Sequence, residues 1–370
     1  MKKFAIFGML LATTLVVGCT GNKDQGSNDA GSPDVGEVKS ATTLPVFSVA
    51  TSEYPSWSTY VVAAKAGLLN PAKGGEHGTL ETKYGVDIVL EVKDYDPCIV
   101  AYGNGTVDAV CITNMDVLNP SMSRETTLIM PTSTSAGGDQ GIAVGINNLE
   151  ELKGKPVYGL DNSVSEYTHY RVVQLAGFNI SDYPFENLDP GPAATALQSG
   201  SDTVKAICVW NPFARQTRNK NPDAKLIYSS EPIRGEILDS VAVGNDALKR
   251  EGGEAFATCL CAIQYAVCSK MSDGKTADVT IAALKDDFAP TLTVDDMKNF
   301  VLKETEFYST PDAGIAVYGN PKLKDTMATV IKTCQAIGVL APDKQPTISY
   351  DGSAGSQLTF TTKYMEAAKK

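Results

Sequence analysis

The sequence predicts an α/β protein with two lobes. Short apolar runs that are typical of strands alternate with longer segments of helical periodicity, which is the pattern of parallel sheets covered by helices. The alternation runs from Leu44 to Val144 and begins again at Leu152, so the same strand–helix pattern occurs twice. With 370 residues, the chain is long enough to bury two sizeable cores.

The first 18 residues have the composition of a targeting segment. Lys2 and Lys3 precede an apolar run from Phe4 to Val17 that is too short for a comfortable membrane span. The run ends in Leu15-Val-Val-Gly-Cys19, which resembles the lipobox of bacterial lipoproteins. That resemblance implies cleavage before Cys19 and its lipidation, with the protein anchored in the cell envelope and facing the periplasm or the cell exterior. A secretory signal with a chance cysteine is the alternative.

Residues 19–42 are rich in Gly, Ser, Asn and Asp and contain few large apolar side chains, so we expect a flexible stalk. The net charge of −11 disfavours nucleic acid and anionic lipid as partners. Seven of the eight cysteines follow Cys19, so at least one is unpaired within the chain, and their spacing leaves any pairing open. Because the only histidines are His77 and His169, we expect no metal site, and no cofactor is predicted.

The first half of the chain reads as a series of strands that end in polar or aromatic loops. The predicted strands are Leu44–Ala50, Val86–Val92, Val107–Thr113, Thr126–Met130 and Ile142–Val144. The loop Thr51–Tyr60 joins the first strand to a helix predicted over Val61–Leu69. Loops at the carboxyl ends of strands often bind ligands, and the N–H groups of a helix start face this one. Asp96 is the predicted N-cap of the next helix, with Pro97 at its first position.

The second half repeats this arrangement and then becomes helical. A strand within Leu152–Leu160 leads into a helix capped by Ser163, and later strands are predicted at Val204–Trp210, Leu226–Tyr228 and Leu238–Val243. After Asn245 the predicted elements are helices: Gly253–Val267, Thr276–Leu284, Thr293–Glu304 and Pro321–Ile337. We expect these helices to pack back onto the first lobe, which gives lobe I as residues 43–140 plus 244–370 and lobe II as residues 141–243.

Five motifs in a fixed order carry a family resemblance. They are Gly105–Asn114, Gly138–Val144, Leu152–Val157, Ala193–Gly200 and Ala206–Phe213. Together they resemble the solute-binding proteins of ATP-driven importers for nitrate, taurine and alkanesulfonates, a family that includes binders of a pyrimidine precursor of thiamine. The resemblance covers about residues 44–243, and the C-terminal part matches only in its helical character. It implies a type II periplasmic-binding-protein fold, a monomer that closes its two lobes on a small solute and docks on the permease of an ABC importer.

The resemblance also implies which residues face the ligand. They lie in the first strand–helix loop, after the third strand, in the crossover and at the helix start of the second lobe: Glu53, Tyr54, Ser56, Trp57, Thr113, Asn114, Asp116, Ser135, Asp139, Ser163, Glu166 and Trp210. Ser163 and Glu166 also have the spacing of a capping box. Trp210 belongs to the last motif and is equally well explained as a core aromatic residue.

The charges of these loops depart from those of an anion binder, which presents N–H groups, hydroxyls and a cation. The candidate loops are acidic, with Glu53, Asp94, Asp96, Asp116, Asp139, Glu166 and Asp239, and they carry the aromatic residues Tyr54, Trp57, Tyr95 and Tyr102. Basic residues are scarce, although Arg171 and Arg215 are near in sequence. Carboxylates beside aromatic faces favour an amine, a guanidinium compound or a zwitterion. Asp96, Asp116 and Asp161 are alternatively N-caps, and an oxyanion or a neutral heterocycle remains the alternative ligand.

An enzyme on the same fold is the main alternative to a binding protein, because a fungal pyrimidine synthase family shares the architecture. That chemistry depends on histidine, cysteine and a cofactor-bound lysine. With two histidines and no recognisable pairing of nucleophile and base, we expect no enzymatic activity. A sensory lipoprotein would need the same cleft, and the sequence does not separate it from a transport protein.

Overall fold

The computed structural model describes residues 43–353 and 355–370. The predicted signal segment 1–18, the lipidation site Cys19 and the predicted stalk 19–42 therefore lie outside the described residues. Leu44 to Lys370 form one unit. Within the described ranges, none of the helices is both long and apolar enough to span a bilayer.

The strands of the described residues form two sheets. In chain order they are β1 (Val46–Thr51), β2 (Asp87–Val92), β3 (Ala109–Thr113), β4 (Thr126–Ser135), β5 (Asp139–Val144), β6 (Val157–Gly159), β7 (Phe185–Asn187), β8 (Ala206–Trp210), β9 (Ala224–Ser229), β10 (Leu238–Gly244), β11 (Thr305–Phe307), β12 (Ile348–Ser349) and β13 (Leu358–Phe360).

Helices connect and cover these strands. They are α1 (Thr59–Lys65), α2 (Thr79–Tyr84), α3 (Tyr95–Gly103), α4 (Leu118–Ser121), α5 (Leu149–Leu152), α6 (Val164–Leu175), α7 (Pro190–Gln198), α8 (Phe213–Lys220), α9 (Asn245–Leu248), α10 (Gly253–Ser272), α11 (Ala277–Phe288), α12 (Val294–Asp296), α13 (Leu302–Glu304), α14 (Pro311–Tyr318), α15 (Leu323–Ile337) and α16 (Lys363–Ala368). A π-helical turn at Met297–Val301 joins α12 to α13, so the helix predicted over Thr293–Glu304 is present with a local widening.

Both sheets have the same plan. The larger sheet has the order β12-β13-β4-β10-β3-β1-β2, with β11 also pairing with β4, and the smaller has the order β7-β6-β8-β5-β9. In each sheet one strand is antiparallel to both of its neighbours: β10 between β3 and β4, and β5 between β8 and β9. These two strands follow the chain's crossings between the sheets. The repeated α/β pattern predicted from the sequence is therefore confirmed.

Strand β10 lies in the larger sheet, where Val241 pairs with Cys111 of β3 and Met130 of β4. The predicted end of lobe II at residue 243 falls inside β10. The division into lobes stays a proposal, and we place the second crossing before Leu238. Sequence periodicity does not reveal this position, because a short strand segment such as Leu238–Val243 fits either sheet equally well.

Strand β4 is longer than predicted. Pro131 was expected to end it at Met130, since proline lacks the N–H that a central strand needs. The strand instead continues to Ser135, and the pairing with β10 shifts its register between Asp239 and Ser240, beside the pair Ser240–Pro131. A bulge of this kind accommodates the missing donor. The continuation brings the hydroxyls of Ser133 and Ser135 to the end of the sheet.

The start of α3 also differs from the prediction. The N-cap is Asp94 and the helix begins at Tyr95, two residues before the predicted cap Asp96. Pro97 therefore occupies the third helical position, still within the first turn, where a backbone N–H is not required. The shift places Tyr95, rather than Asp96, at the helix tip.

The main core covers the larger sheet, and the C-terminal helices contribute to it as predicted. Helix α10 is buried along its length, with Phe256, Leu260 and Ile263 fully inaccessible, and it packs against α1, α2, α11 and α16. The seven described cysteines are all buried and unpaired. They act as small apolar side chains in the described part of the chain.

The central strands β5 and β8 of the smaller sheet are buried under helices α6, α7 and α8. On one face Tyr228 crosses over Gly141, where an added Cβ would lie 2.1 Å from the tyrosine ring. Its hydroxyl lies 2.7 Å from Nδ1 of the buried His169, whose Nε2 lies 3.2 Å from the Tyr183 carbonyl oxygen. Burial lowers the pKa of His169 to about 4. This histidine is therefore a neutral structural residue.

We expect Gly141→Ala to reduce the free energy of unfolding by about 1–3 kcal/mol, because the new methyl group must displace the Tyr228 ring in a packed core. Urea unfolding followed by far-UV circular dichroism measures the change. Gly274→Ala is the matched control, since no atom lies within 4 Å of an added Cβ there, and it should change stability by less than about 0.5 kcal/mol. Equal effects of the two substitutions would contradict the proposed close approach.

Candidate functional site

A narrow cavity of about 10 Å³, roughly the room that one water molecule needs, lies between elements of the two sheets. Its lining residues are Tyr54, Trp57, Tyr95, Thr113, Asp139, Val164, Trp210 and Asp239. Elements of the larger-sheet part contribute the β1–α1 loop, the tip of α3, the end of β3 and the start of β10. Elements of the smaller-sheet part contribute the first residues of β5 and α6 and the last residue of β8. Ligand capture here would therefore involve both parts of the fold.

Four aromatic side chains form a continuous wall of the cavity. The ring centroids of Tyr54 and Trp57 are 4.9 Å apart, and those of Trp57 and Tyr95 are 5.4 Å apart in a stacked arrangement. Trp210 meets Tyr95 edge-on with centroids 5.9 Å apart. The Trp57 indole N–H is buried without a hydrogen-bond partner among the described residues, whereas the Tyr54 hydroxyl is buried beside Asp239. The indole N–H of the wall is thus left for a bound molecule.

The β1–α1 loop holds its aromatic residues by a tight turn. The amide groups of Trp57 and Ser58 both donate to the Tyr54 carbonyl oxygen, at 3.1 and 2.9 Å. Ser56 is fixed to β4, with its hydroxyl 2.9 Å from that of Thr132 and 2.8 Å from that of Ser133. Ser56 therefore positions the loop rather than lining the cavity.

Asp139 and Asp239 place two buried carboxylates on the cavity. They lie in the first residues of β5 and β10, the strands that follow the two crossings. Ser135 donates a hydrogen bond to Oδ2 of Asp139, and Ser133 donates one to Oδ2 of Asp239. Oδ1 of Asp139 is buried without a partner among the described residues. Serines at the end of β4 therefore orient both carboxylates.

Asp116 is a third buried carboxylate, one step behind the cavity wall. Its Oδ2 accepts hydrogen bonds from the hydroxyls of Tyr95 at 2.6 Å and Thr113 at 2.8 Å, and both of these residues line the cavity. Its Oδ1 has no hydrogen-bond partner in the described part of the chain. Asp116 is therefore placed to orient Tyr95 and to add negative potential.

Burial shifts all three carboxyl groups in the same direction. Loss of hydration raises the pKa of Asp116 to about 7 and that of Asp139 to about 6. It raises the pKa of Asp239 well above its ordinary value, and the neighbouring Asp139 adds to that rise. Hydrogen bonds from Tyr95, Thr113, Ser133 and Ser135 act in the opposite direction and are outweighed. None of the described residues that line the cavity is basic.

The two arginines near these loops in sequence are already paired. Arg171 forms a bidentate ion pair with Glu236, with both N···O distances at 2.8 Å. Two guanidinium nitrogens of Arg215 bind Oδ1 of Asp296, at 3.1 and 3.0 Å, and this guanidinium lies over the Phe300 ring. Neither arginine lines the cavity.

A wider cleft adjoins the cavity and shares Tyr95 and Trp210 with it. It encloses about 1230 Å³ of space that is partly open to solvent, and four acidic residues line it: Glu53, Asp94, Asp96 and Asp189. Burial and the neighbouring carboxylates raise the pKa of Glu53 and of Asp96. The approach to the cavity is thus strongly acidic.

The structure brings five of the twelve predicted ligand residues to the cavity: Tyr54, Trp57, Thr113, Asp139 and Trp210. Glu53 lies in the outer cleft. Asp116 and Ser135 are hydrogen-bond partners of lining residues, and Ser56 bonds to Ser133, which in turn bonds to the lining residue Asp239.

The remaining three predicted residues have local structural contacts. Asn114 accepts from the Leu238 amide and donates to the Glu236 carbonyl, both at 2.9 Å, and so joins β3 to the start of β10. Ser163 caps α6 by accepting from the Ser165 amide, and Glu166 accepts from the Asn162 amide. That these three residues bind the ligand stays a prediction, and their local hydrogen bonds do not support it.

Three lining residues were absent from the predicted set. Tyr95 and Asp239 were counted among the aromatic and acidic residues of the loops, but Tyr95 was placed before the helix and Asp239 inside a strand of lobe II. Val164, the first residue of α6, carried no sequence signal because an apolar residue after an N-cap is usual in any helix.

The structure resembles solved structures of solute-binding proteins, whereas no protein-family model and no curated protein matches the sequence. The alkanesulfonate-binding protein SsuA from Xanthomonas axonopodis pv. citri, bound to MOPS, matches with a TM-score of 0.61 at 14% identity, over 81% of this chain and 96% of that chain. The periplasmic aliphatic sulphonate-binding protein SsuA from Escherichia coli matches with a TM-score of 0.61 at 15% identity, over 81% and 89%. The CA3427 gene product of Candida albicans, described as having the generic periplasmic binding protein fold, matches with a TM-score of 0.58 at 15% identity, over 81% and 92%.

These similarities establish the fold. The chain has the periplasmic-binding-protein fold of ABC-importer binding proteins, with two α/β parts, and the fold class expected from the motif order is confirmed. Several of these neighbours are sulfonate-binding proteins by their own descriptions, and they share the fold that the motif resemblance implies. At 14–15% identity they leave the ligand of this chain to be argued from its own cavity.

The raised carboxyl pKa values predict that the protein without ligand loses stability as the pH rises. A carboxyl group whose pKa is higher in the folded state binds protons more tightly there, so its contribution is complete below the unfolded-state pKa near 3.8 and is lost as the pH rises to about 6 for Asp139 and about 7 for Asp116. Each group can contribute up to about 1.4 kcal/mol per pH unit inside its window. Urea unfolding at pH 4 to 8 measures this slope.

Asp139→Asn should flatten the slope between pH 4 and 6, and Asp116→Asn should flatten it up to pH 7. The control is Asp202→Asn, since Asp202 is exposed and its substitution should leave the profile unchanged. Parallel profiles for the wild-type protein and both buried-site variants would contradict the assignment.

Proposed function

We propose that this protein is an extracytoplasmic solute-binding lipoprotein of an ABC importer that captures a small organic amine, guanidinium compound or zwitterion. In this proposal Cys19 carries the lipid anchor, residues 19–42 form the stalk, and the loaded protein delivers its solute to the permease as a monomer. One observation supports this class of ligand. Buried carboxylates face an aromatic cavity, and none of the described residues that line the cavity is positively charged.

A positively charged nitrogen matches what the cavity lacks. An ammonium or guanidinium group near Asp139 and Asp239 would donate hydrogen bonds to their carboxylate oxygens, of which Oδ1 of Asp139 has no other partner among the described residues. Charge-assisted bonds of this kind are the stronger ones. The faces of Trp57, Tyr95 and Trp210 add cation–π attraction. Exclusion of water strengthens both contributions, because the effective dielectric constant is lower than in solvent.

The start of α6 gives a zwitterion a second point of attachment. Val164 lines the cavity at the N-terminal end of this 12-residue helix, where the helix dipole favours negative charge. A carboxylate on the ligand could face this end while its amino group faces Asp139 and Asp239. A simple cation and a zwitterion would thus make the same contact with Asp139 and Asp239, and only the zwitterion would also contact the start of α6.

The acidic outer cleft supports the same ligand charge. Glu53, Asp94, Asp96 and Asp189 line the approach, and a cleft lined by one sign of charge concentrates ions of the opposite sign. A sulfonate or nitrate would meet unfavourable potential in the cleft and again in the cavity. The alkanesulfonate ligands named for the structural neighbours are therefore the less favoured class for this chain, together with neutral pyrimidines.

The described residues offer little to an enzyme of this fold. Burial raises the pKa of all seven described cysteine thiols, which keeps them protonated and poorly nucleophilic. His169 has both ring nitrogens engaged with Tyr228 and Tyr183. These contacts favour binding over catalysis.

Ligand binding should change the intrinsic fluorescence, because the only two tryptophans of the chain, Trp57 and Trp210, both line the cavity. A panel of amines, guanidines, amino acids, betaines, sulfonates and pyrimidines can be screened by fluorescence and thermal shift. A cationic or zwitterionic compound at a hundredfold excess over its Kd should stabilise the protein by about 2.7 kcal/mol. For such a ligand, Asp139→Asn or Trp57→Phe should raise Kd at least about tenfold, or 1.4 kcal/mol.

The matched control is Glu53→Gln, which changes an exposed carboxylate of the outer cleft and should leave Kd within about threefold, or 0.7 kcal/mol. A larger effect of Glu53→Gln than of Asp139→Asn would place the ligand in the outer cleft. Selective binding of sulfonates, with Asp139→Asn binding them no better than the wild-type protein, would refute the ligand class.

The pH dependence of binding tests the sign of the ligand charge. A cation stabilises the ionised carboxylates, so its affinity should increase as the pH rises from 5 to 8 through the pKa values of about 6 for Asp139 and about 7 for Asp116, with release of protons on binding. Each released proton corresponds to at most about a tenfold change in Kd per pH unit. Calorimetry in buffers of different ionisation enthalpy counts the protons. Proton uptake on binding would indicate an anionic ligand.

A further inference from the structure

A second cluster of potential ligand atoms lies in the larger-sheet part, and none of its members lines the cavity or the outer cleft. His77, Glu81 and Asp87 each offer one nitrogen or carboxylate oxygen, and these three atoms lie within 4.8 Å of one another. His77 belongs to the glycine-rich segment between α1 and α2, Glu81 to α2 and Asp87 to the start of β2. From this geometry we infer that His77, Glu81 and Asp87 bind a divalent transition-metal ion of the zinc class, against the sequence expectation of no metal site.

The decisive observation is an unpartnered pair of buried atoms. Asp87 is 3% exposed, and its Oδ1 has no hydrogen-bond partner among the described residues. The same holds for the buried Nδ1 of His77, which lies 3.9 Å from that oxygen. A buried acceptor without a partner costs about 1–3 kcal/mol. A shared metal ion would satisfy both atoms.

Backbone groups already orient the two carboxylates. The Gly74 amide donates to Oδ2 of Asp87 at 2.9 Å, which turns Oδ1 toward His77. Glu81 is fully buried, and its Oε2 accepts from the Asn70 and Gly78 amides, both at 2.6 Å. Among the described residues, its Oε1 accepts one hydrogen bond, from the Ile88 amide at 2.8 Å, which leaves a lone pair for a metal ion. Such supporting hydrogen bonds are typical of metal ligands.

The segment that carries His77 is held close to its neighbours. Gly78 follows the histidine, and a Cβ at this position would lie 2.3 Å from backbone atoms of Leu69. The amides of Thr79 and Leu80 donate to the carbonyl oxygens of Gly67 and Leu68, both at 3.0 Å. This close approach fixes the chain that directly follows His77.

One imidazole and two carboxylates suit zinc, cobalt or manganese better than calcium, which prefers six or more oxygen ligands. Zinc bonds of about 2.0–2.2 Å bring ligand atoms to within about 3.5 Å of each other. The partly exposed His77 side chain can make the remaining movement. Water would complete the coordination, and the ion would join the segment 71–78 to α2 and β2.

The test uses the purified chain, stripped of metal by a chelator and kept reduced with a non-chelating phosphine. Titration with zinc chloride should show one equivalent bound and a rise in melting temperature, with weaker binding of manganese and much weaker binding of calcium. Cobalt should give a d–d absorption band. His77→Ala and Asp87→Asn should each raise the Kd for zinc at least about tenfold, since loss of a supporting residue alone costs about 10–100-fold.

Glu76→Gln is the matched control, because Glu76 is the exposed acid adjacent to His77 in the same segment and should bind zinc like the wild-type protein. The metal-free melting temperature of each variant monitors folding, and His77→Ala carries the test if Asp87→Asn folds poorly. Absence of stoichiometric zinc binding would overturn the inference and leave a simple His77–Asp87 ion pair. Equal zinc affinity and an unchanged cobalt spectrum in His77→Ala would also overturn it.

Discussion

The hydrogen bonds from Ser133 and Ser135 to Asp239 and Asp139 are the interactions on which the site depends. They exist because β4 continues past Pro131, which the register shift opposite Ser240 makes possible. The same four residues lie where the chain enters and leaves the two sheets. The point at which the fold crosses between its parts is therefore also the point where two buried carboxyl groups are held, so the geometry of the site and the connectivity of the fold have one origin.

Much of the site was predictable, and the failures have a common cause. Tyr54, Trp57, Thr113 and Trp210 follow or end strands, so local sequence places them at sheet edges where ligands bind. The position of Asp239 at the cavity depends on the pairing of β10 with β3 and β4. This pairing joins residues far apart in the chain, so the periodicity of a short segment does not predict it. Tyr95 was predicted to precede the helix because the N-cap was placed at Asp96, two residues after the actual cap Asp94. Local sequence signals are weakest at the boundaries of helices and strands. Asn114 and Ser163 form hydrogen bonds with backbone groups, which amide and hydroxyl side chains serve as readily as ligands, and their role as ligand contacts stays a prediction.

The fold and the ligand class rest on different evidence. Structural similarity to proteins of 14–15% identity establishes the arrangement of the sheets. It does not establish the ligand, because proteins of one fold bind ligands of different charge. In this chain both arginines close to the candidate loops are neutralised by Glu236 and Asp296. The carboxylates of the cavity have no such partner among the described residues, and an anion would add a further negative charge to an already destabilised cluster. The charge balance of the cavity, rather than the fold, is therefore the basis of the proposed ligand class.

The cost of burying these carboxylates also explains how recognition and closure would be linked. Tyr54, Trp57, Tyr95 and Trp210 are at most 7% exposed, so the two parts of the fold must separate for a solute to enter. Separation returns Asp139 and Asp239 to water and removes the desolvation that raises their pKa. Closure without a cation restores that cost, whereas closure around a cation replaces water with ion pairs and aromatic faces. A ligand of the right charge therefore favours the closed arrangement by its differential interaction with the two states, which is the only way in which a ligand shifts such an equilibrium.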